Sequence, residues 1–416
     1  MVKLNREINW QPPEIGKGRF GNWLEEVKDW NLSRDRFWGT PIPICVSEDG
    51  KDMFAIGSIE ELKQGYYEHD DGSREALADS AIEIDLHRPF VDKIVFVQND
   101  KVYRRIHEIV DVWFDSGAMP FAQYHYPFEN KELFDETFPA DFIAEGIDQT
   151  RGWFYTLHNI ATALFEKPAF KNIVVNELIL DEEGIKMSKS KGNVIDPFDI
   201  MERYGADAIR WYLFSNNPPW RATLFSENDL AKTIISDFFR SLTNVYAFFS
   251  LYANIDGFTG EEDIVPISER PDIDKWIISK VNSLINDYIE NMNEYELTKA
   301  HRGIQSFVID ELSNWYIRRN RRRFWKGEND KDKIAAYQTL RYVLYRVLNI
   351  TAPCAPYLTE ELYNRIKTKD EAESIHLCDL MQPDFNLIDK FLERKMELAQ
   401  KIVSLTRFLR EKSKIR

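Results

Sequence analysis

Two kinds of apolar spacing divide the chain. After Ser226, apolar side chains recur every third or fourth position through residues 227–252, 275–292, 297–325 and 333–348, with few prolines inside. That period predicts long amphipathic helices packed as a bundle. The breakers fall between these stretches: Gly257, Gly260, Pro266 and Pro271 in one connection, Pro353 and Pro356 in another. Before Ser226 the pattern is mixed. Ile94-Val95-Phe96-Val97 and residues 173–180 are β-branched runs that read as strands. Trp38-Gly39-Thr40-Pro41 and Phe114-Asp115-Ser116-Gly117 suit loops gathered around a site better than a continuous sheet. The expected organisation is therefore a mixed α/β domain with insertions over residues 1–226, a helical bundle over 227–384, and the start of a helical extension over 385–416. From Phe391 that last stretch meets no glycine or proline before Arg416, so the chain reads as cut within a helix.

Length and composition narrow the class. The 416 residues suggest about three domains at ~150 residues each. With 44% hydrophobic and 30% charged residues, the chain is too apolar for disorder. No apolar run reaches the ~18 residues of a spanning helix, and MVKLNREINW lacks the apolar centre of a signal peptide, so neither membrane insertion nor secretion is expected. The three cysteines, Cys45, Cys354 and Cys378, show no C-x-x-C spacing. A disulfide framework and a structural zinc site are both unexpected, and a reducing cytoplasm fits best. The formal charge of −15 excludes indiscriminate coating of nucleic acid and requires any polyanion to be met by a local basic patch.

The most informative segment is Asp181-Glu182-Glu183-Gly184-Ile185-Lys186-Met187-Ser188-Lys189-Ser190-Lys191-Gly192-Asn193, which follows the strand-like run directly. Three lysines fall within six positions, alternating with hydroxyls and flanked by glycines. Such a cluster also forms plain solvated hairpin tips. A glycine-flanked cationic loop can instead bend over a ligand and offset charge on transferring phosphates. The spacing is not that of a Walker loop.

Lys186-Met187-Ser188-Lys189-Ser190 spells the KMSKS signature, and in this the chain resembles the class I aminoacyl-tRNA synthetases. The stretch from Trp30-Asn31-Leu32-Ser33-Arg34 through Trp38-Gly39-Thr40-Pro41-Ile42-Pro43, the residues from Asp111 to Gln123, and Glu145-Gly146-Ile147-Asp148-Gln149-Thr150-Arg151-Gly152-Trp153-Phe154 resemble the isoleucyl branch, and the likeness runs over essentially the whole chain. It implies the second half of a Rossmann-like α/β nucleotide-binding domain followed by an all-α anticodon-binding helical bundle. It implies ATP with magnesium, isoleucine and tRNA(Ile) as what the family handles. Residue by residue, it assigns Lys186 and Lys189 to the ATP phosphates, with Met187, Ser188 and Ser190 shaping the loop. Glu145, Gly146, Asp148 and Gln149 are assigned to the aminoacyl-adenylate, because carboxylates accept vicinal hydroxyl donors and a neutral amide orients an ammonium. Trp113 and Trp153 become apolar walls of the amino-acid pocket.

Each assignment has a plainer counterpart. Glu145 and Asp148 are also suited to capping a helix over residues 150–164. Any one of the 11 tryptophans can serve a core. The run Arg318-Arg319-Asn320-Arg321-Arg322-Arg323-Phe324-Trp325-Lys326 is the basic patch that the overall acidity demands. Trp315, Arg318 and Arg322 share a helical face, and with Arg319 and Arg323 they suit tRNA phosphates and bases. Asp310 and Glu311 are the acidic neighbours that would make the same run a salt-bridged surface. The seven histidines show no metal spacing and read as structural.

The chain also departs from the family. It carries no HIGH motif, no early proline and aspartate of the amino-acid pocket, and no recognisable editing domain. The expectation is thus an isoleucine–tRNA ligase segment that needs the missing HIGH-bearing N-terminal half for activity. The alternatives are a non-catalytic tRNA-binding module derived from a synthetase, or a valine- or leucine-specific relative.

Overall fold

The computed structural model describes residues 1–325 and 330–415, and the chain divides into two compact units, Met1–Asn176 and Glu177–Arg416. In the first, three strands run parallel in the order Asn9–Gln11, Phe170–Asn176, Ala140–Gly146. The central strand buries Ile173, Val174 and Val175 in succession, as a strand covered on both faces must. Parallel neighbours require a crossover, and the helix Trp153–Phe165 supplies it between Ala140–Gly146 and Phe170–Asn176. Phe154 and Leu157 from that helix pack with Trp10, Phe20 and Ile173 into one core. Residues 44–105 build the insertion that the loops implied, a six-stranded antiparallel sheet with its own core around Cys45, Phe96 and Tyr103. Ile94–Gln98 is a strand within it.

Among its described residues the second unit is helical beyond one short strand pair. Its helices include Pro197–Tyr204, Ala206–Asn216, Asp272–Asn293, Lys331–Thr351, Pro356–Ile366, Lys390–Lys412 and two longer composite ones. Residues 227–256 form one of these, with a π-wound stretch over Leu230–Phe239, and end at Gly257, whose φ of +69° is the left-handed turn that glycine takes without strain. Residues 297–325 form the other, π-wound over Phe307–Ile317. Trp211, Phe238, Trp276, Ile304, Leu312 and Tyr337 belong to a single core.

The strand expected over residues 173–180 is two strands. Phe170–Asn176 ends where its partner Ala140–Gly146 ends, at the Gly146–Asn176 pair. Glu177 then donates its N–H to Pro219 O at 2.8 Å, and Ile179–Leu180 pairs instead with Thr223–Leu224. A continuous apolar run does not show where a hydrogen-bonding partner stops.

Candidate functional site

In the first unit the candidate residues collect at the C-terminal end of a parallel strand, the edge at which open α/β sheets bind ligands. Ala140–Gly146 delivers Glu145 and Gly146, a tight turn over Ile147–Arg151 follows, and the helix begins at Trp153. Glu145 is exposed, with no hydrogen-bond or ion-pair partner among the described residues. Asp148 folds back over Gly146, so closely that a Cβ at 146 would lie 2.6 Å from its Oδ1. Gln149 Nε2 donates to Asp148 Oδ2 at 3.0 Å, and Gln149 Oε1 accepts the N–H of Trp153 at 2.9 Å. The helix is thus capped by Gln149, and neither Glu145 nor Asp148 does so, because it starts three residues later than the pattern suggested.

The two tryptophans flank this turn. Trp153 Nε1 donates to Ser116 O at 2.9 Å. Trp113 lies over Gly152, where a Cβ would come within 3.2 Å of the indole and 2.7 Å of Gln149 Oε1. Trp113 remains 43% exposed, a stiff apolar surface open to a ligand. Its short helix, Val112–Gly117, is held by Asp111, which the sequence reading did not single out. The buried Asp111 carboxylate accepts from Trp113 N at 3.1 Å, Trp30 Nε1 at 3.0 Å and Arg34 Nη2 at 2.5 Å. An aspartate one residue before a helical run is a capping signal that could have revealed it. Nearby Asp115 has its pKa raised, chiefly by burial, with the Asp111 charge adding to it against a Thr40 hydrogen bond.

In the second unit the lysine loop is a short hairpin. Leu180 bridges Lys186 antiparallel across a turn closed by Gly184 N–H to Asp181 O at 3.0 Å. A single helical turn over Lys189–Lys191 ends at Gly192 in the left-handed region, φ +66°. Met187 is half-buried and packs with Ile195 against the helical core, which anchors one side of the loop. Ser188 Oγ and Ser190 Oγ are 3.2 Å apart. Lys186, Lys189 and Lys191 are exposed and take no ion-pair partner among the described residues. Ammonium groups without an ion-pair partner can meet a polyanion.

The arginine run separates into two roles. Arg318, Arg319 and Arg322 are exposed, and the Arg319 guanidinium lies 5.1 Å from the Trp315 ring centroid. Trp315 Nε1 faces Met396 Sδ at 3.2 Å. Arg323 turns inward, 12% exposed, and pairs with the fully buried Asp274 through both terminal nitrogens, at 2.7 and 2.9 Å. It also reaches Asp332 at 2.8 Å. Burial works against its charge, but Asp274 outweighs that and raises its pKa. The acidic neighbours named from the sequence are engaged elsewhere: Asp310 with Ser306 at 3.3 Å, Glu311 with Gln400 at 2.6 Å. Lys326 lies outside the described residues. Among the described residues no group of three or more His, Cys, Asp or Glu side chains is arranged to hold a metal ion.

Residues 1–226 match the family model of class I tRNA synthetases (I, L, M and V), and residues 274–416 match the anticodon-binding domain of tRNA ligase. The isoleucine–tRNA ligase of Cytophaga hutchinsonii is 51% identical over the whole chain, and that of Clostridium tetani 49%. The chain spans only 38% and 39% of the length of these two relatives. Among solved structures, it superposes on LeuRS of Agrobacterium radiobacter, in a ternary complex with tRNA and LeuAMS, at a TM-score of 0.62 and 18% identity, covering 90% of this chain and 46% of that one. Methionyl-tRNA synthetase of Mycobacterium tuberculosis bound by methionyl-adenylate gives 0.61 at 17% identity, covering 87% and 59%. At those identities the likeness shows the fold, a Rossmann-like class I synthetase core with a helical anticodon-binding part.

Proposed function

The chain belongs to the class I tRNA synthetases of the isoleucine, leucine, methionine and valine group, and from that premise we propose that it carries part of an isoleucine–tRNA ligase. The reaction joins isoleucine to the α-phosphate of ATP, releases pyrophosphate, and passes the isoleucyl group to a ribose hydroxyl at the end of tRNA(Ile). The observation that carries this reading is the loop with exposed Lys186 and Lys189, without ion-pair partners among the described residues, in a chain whose whole length aligns with part of an isoleucine–tRNA ligase.

The two ammonium groups offset negative charge on the β- and γ-phosphates as pyrophosphate leaves. Glu145 and Asp148 accept the ribose hydroxyls, with Gly146 allowing close approach, and Gln149 orients the amino group. Trp113 and Trp153 wall the aliphatic side chain. Arg318, Arg319 and Arg322 meet tRNA phosphates beside Trp315, while Arg323 serves them by fixing its helix through Asp274. Lys186 to Ser190 offer ammonium and hydroxyl groups rather than carboxylates, so magnesium would arrive on the triphosphate itself. The domain limits at 226 and 384 belong to the same proposal. So does the need for a HIGH-bearing segment, since donors fixed on one side of a transition state accomplish little alone.

The test is a graft of this chain in place of the matched segment of the Cytophaga hutchinsonii enzyme. Isoleucine-dependent exchange of pyrophosphate into ATP is expected, with leucine and valine poor substitutes, and Lys189→Ala lowers it at least about a hundredfold. Exchange indifferent to Lys189→Ala would refute the assignment. A second reading, a tRNA-binding module without catalysis, draws on the exposed Arg318, Arg319 and Arg322. It is favoured if the graft forms no adenylate while the chain binds tRNA in a salt-dependent manner.

A further inference from the structure

The lysine loop is tied at its base by two residues to which the reading above gives no role. Asp181 stands at the end of Ile179–Leu180, and Asn193 lies twelve residues on, beyond the last lysine. Asn193 Nδ2 donates to Asp181 Oδ2 at 2.8 Å, and Asn193 Oδ1 accepts the N–H of Ser188 at 2.9 Å. Asp181 Oδ1 accepts the N–H groups of Ile185 at 2.7 Å and Glu183 at 3.1 Å. A longer contact of 3.4 Å joins Asn193 Nδ2 to Lys186 O.

We propose that Asp181 and Asn193 are positioning residues of the loop, a clasp that fixes the backbone bearing Lys186 and Lys189. The proposal rests on the reading of the loop as the site for the ATP phosphates.

Two features argue for it. The clasp holds the chain on both sides of the lysines and again at Ser188 between them, whereas Gly184 at φ +79° and Gly192 at +66° would otherwise leave the segment many conformations. A loop ordered before its ligand arrives spends less binding free energy on ordering. The second feature concerns charge. Asp181 is one of three carboxylates that precede Lys186, with Glu182 and Glu183. In the clasp its oxygens are taken by three neutral N–H donors. The Asn193 hydrogen bond is the chief reason that its pKa lies below the ordinary carboxylate range.

The test uses the chain as it stands, titrated with inorganic tripolyphosphate by calorimetry at low salt. Asn193→Ala is expected to weaken binding about tenfold. Asp181→Asn weakens it similarly although it makes the loop more cationic. With amides at both positions, either N–H faces N–H or Ser188 loses its acceptor, whichever way the amides turn. A carboxylate acting only through its charge would give the opposite sign, tighter binding in Asp181→Asn. Exchanging both residues, Asp181→Asn with Asn193→Asp, reinstates one donor and one acceptor at unchanged net charge. Affinity then returns to within about threefold. Binding unchanged in Asn193→Ala, or a double exchange no better than either single change while circular dichroism shows a folded chain, overturns the clasp. Binding lost in Lys189→Ala but kept in Asn193→Ala overturns the clasp and leaves the phosphate reading standing. No binding by the unsubstituted chain overturns the phosphate reading and the clasp with it.

Discussion

Gln149 Oε1 accepts the backbone N–H of Trp153 at 2.9 Å, and this bond sets where the helix under the candidate pocket begins. The same side chain reaches Asp148 through its Nε2, so one glutamine links the acidic turn to the indole that would face an amino acid.

Stability and ligand binding should therefore separate at neighbouring positions. Gln149→Ala removes the cap and is expected to cost about 1 kcal/mol. Glu145→Ala, at an exposed and unpartnered side chain, should change stability by less than about 0.5 kcal/mol. Both should weaken binding of an isoleucyl-adenylate sulfamoyl analogue. Urea denaturation followed by tryptophan fluorescence reads the first quantity and calorimetric titration the second. Full analogue affinity in Glu145→Ala would remove that residue from the site.

Arg323 and its neighbour Arg322 should behave as different kinds of residue. Arg323→Ala leaves the carboxylate of Asp274 buried beside Tyr316 without its cation and is expected to destabilise the bundle by about 3–5 kcal/mol. Arg322→Ala, at an exposed position, should stay within about 0.5 kcal/mol. Equal losses in urea denaturation would mean that the Asp274 pair contributes no more than a surface charge.

The exposed arginines should show themselves in salt dependence instead. If Arg318, Arg319 and Arg322 each meet a phosphate, replacing all three by glutamine lowers the slope of log affinity for tRNA against log salt by about 2. Filter binding between 50 and 200 mM salt measures it. An unchanged slope would place the RNA contacts on another surface.

Two buried imidazoles predict acid lability. His158 packs against Phe20 and contacts Met1 O through Nε2 at 3.0 Å, and burial pushes its pKa down to about 4. His301, stacked on Phe214, is shifted the same way by burial. The unfolded chain, with imidazoles near 6.5, takes up protons first as the pH falls. Stability contributed by keeping His158 neutral is present above pH 6.5 and is lost as the pH drops from there to about 4, by up to about 3 kcal/mol. His158→Gln keeps a donor for Met1 O without titrating, so its stability should fall less than the parent's between pH 7 and 4.5. Parallel losses in urea midpoints would assign the lability to other groups.

Much of this protein was written in short-range pattern. The 3.6-residue spacing after Ser226 announces helices because amphipathicity is a property of each segment alone, and the KMSKS loop is legible because its signature lies in five adjacent residues. What only the tertiary structure decided is which distant groups meet. Asp274, not Asp310 or Glu311, pairs with Arg323 of the arginine run, and it comes from another helix, Asp272–Asn293. Residues 173–180 divide between two sheets because a strand continues only as far as its neighbour does. Asp181 and Asn193 each look like an ordinary turn residue in the sequence, and they become a pair only when the chain folds back and brings an acceptor to a donor.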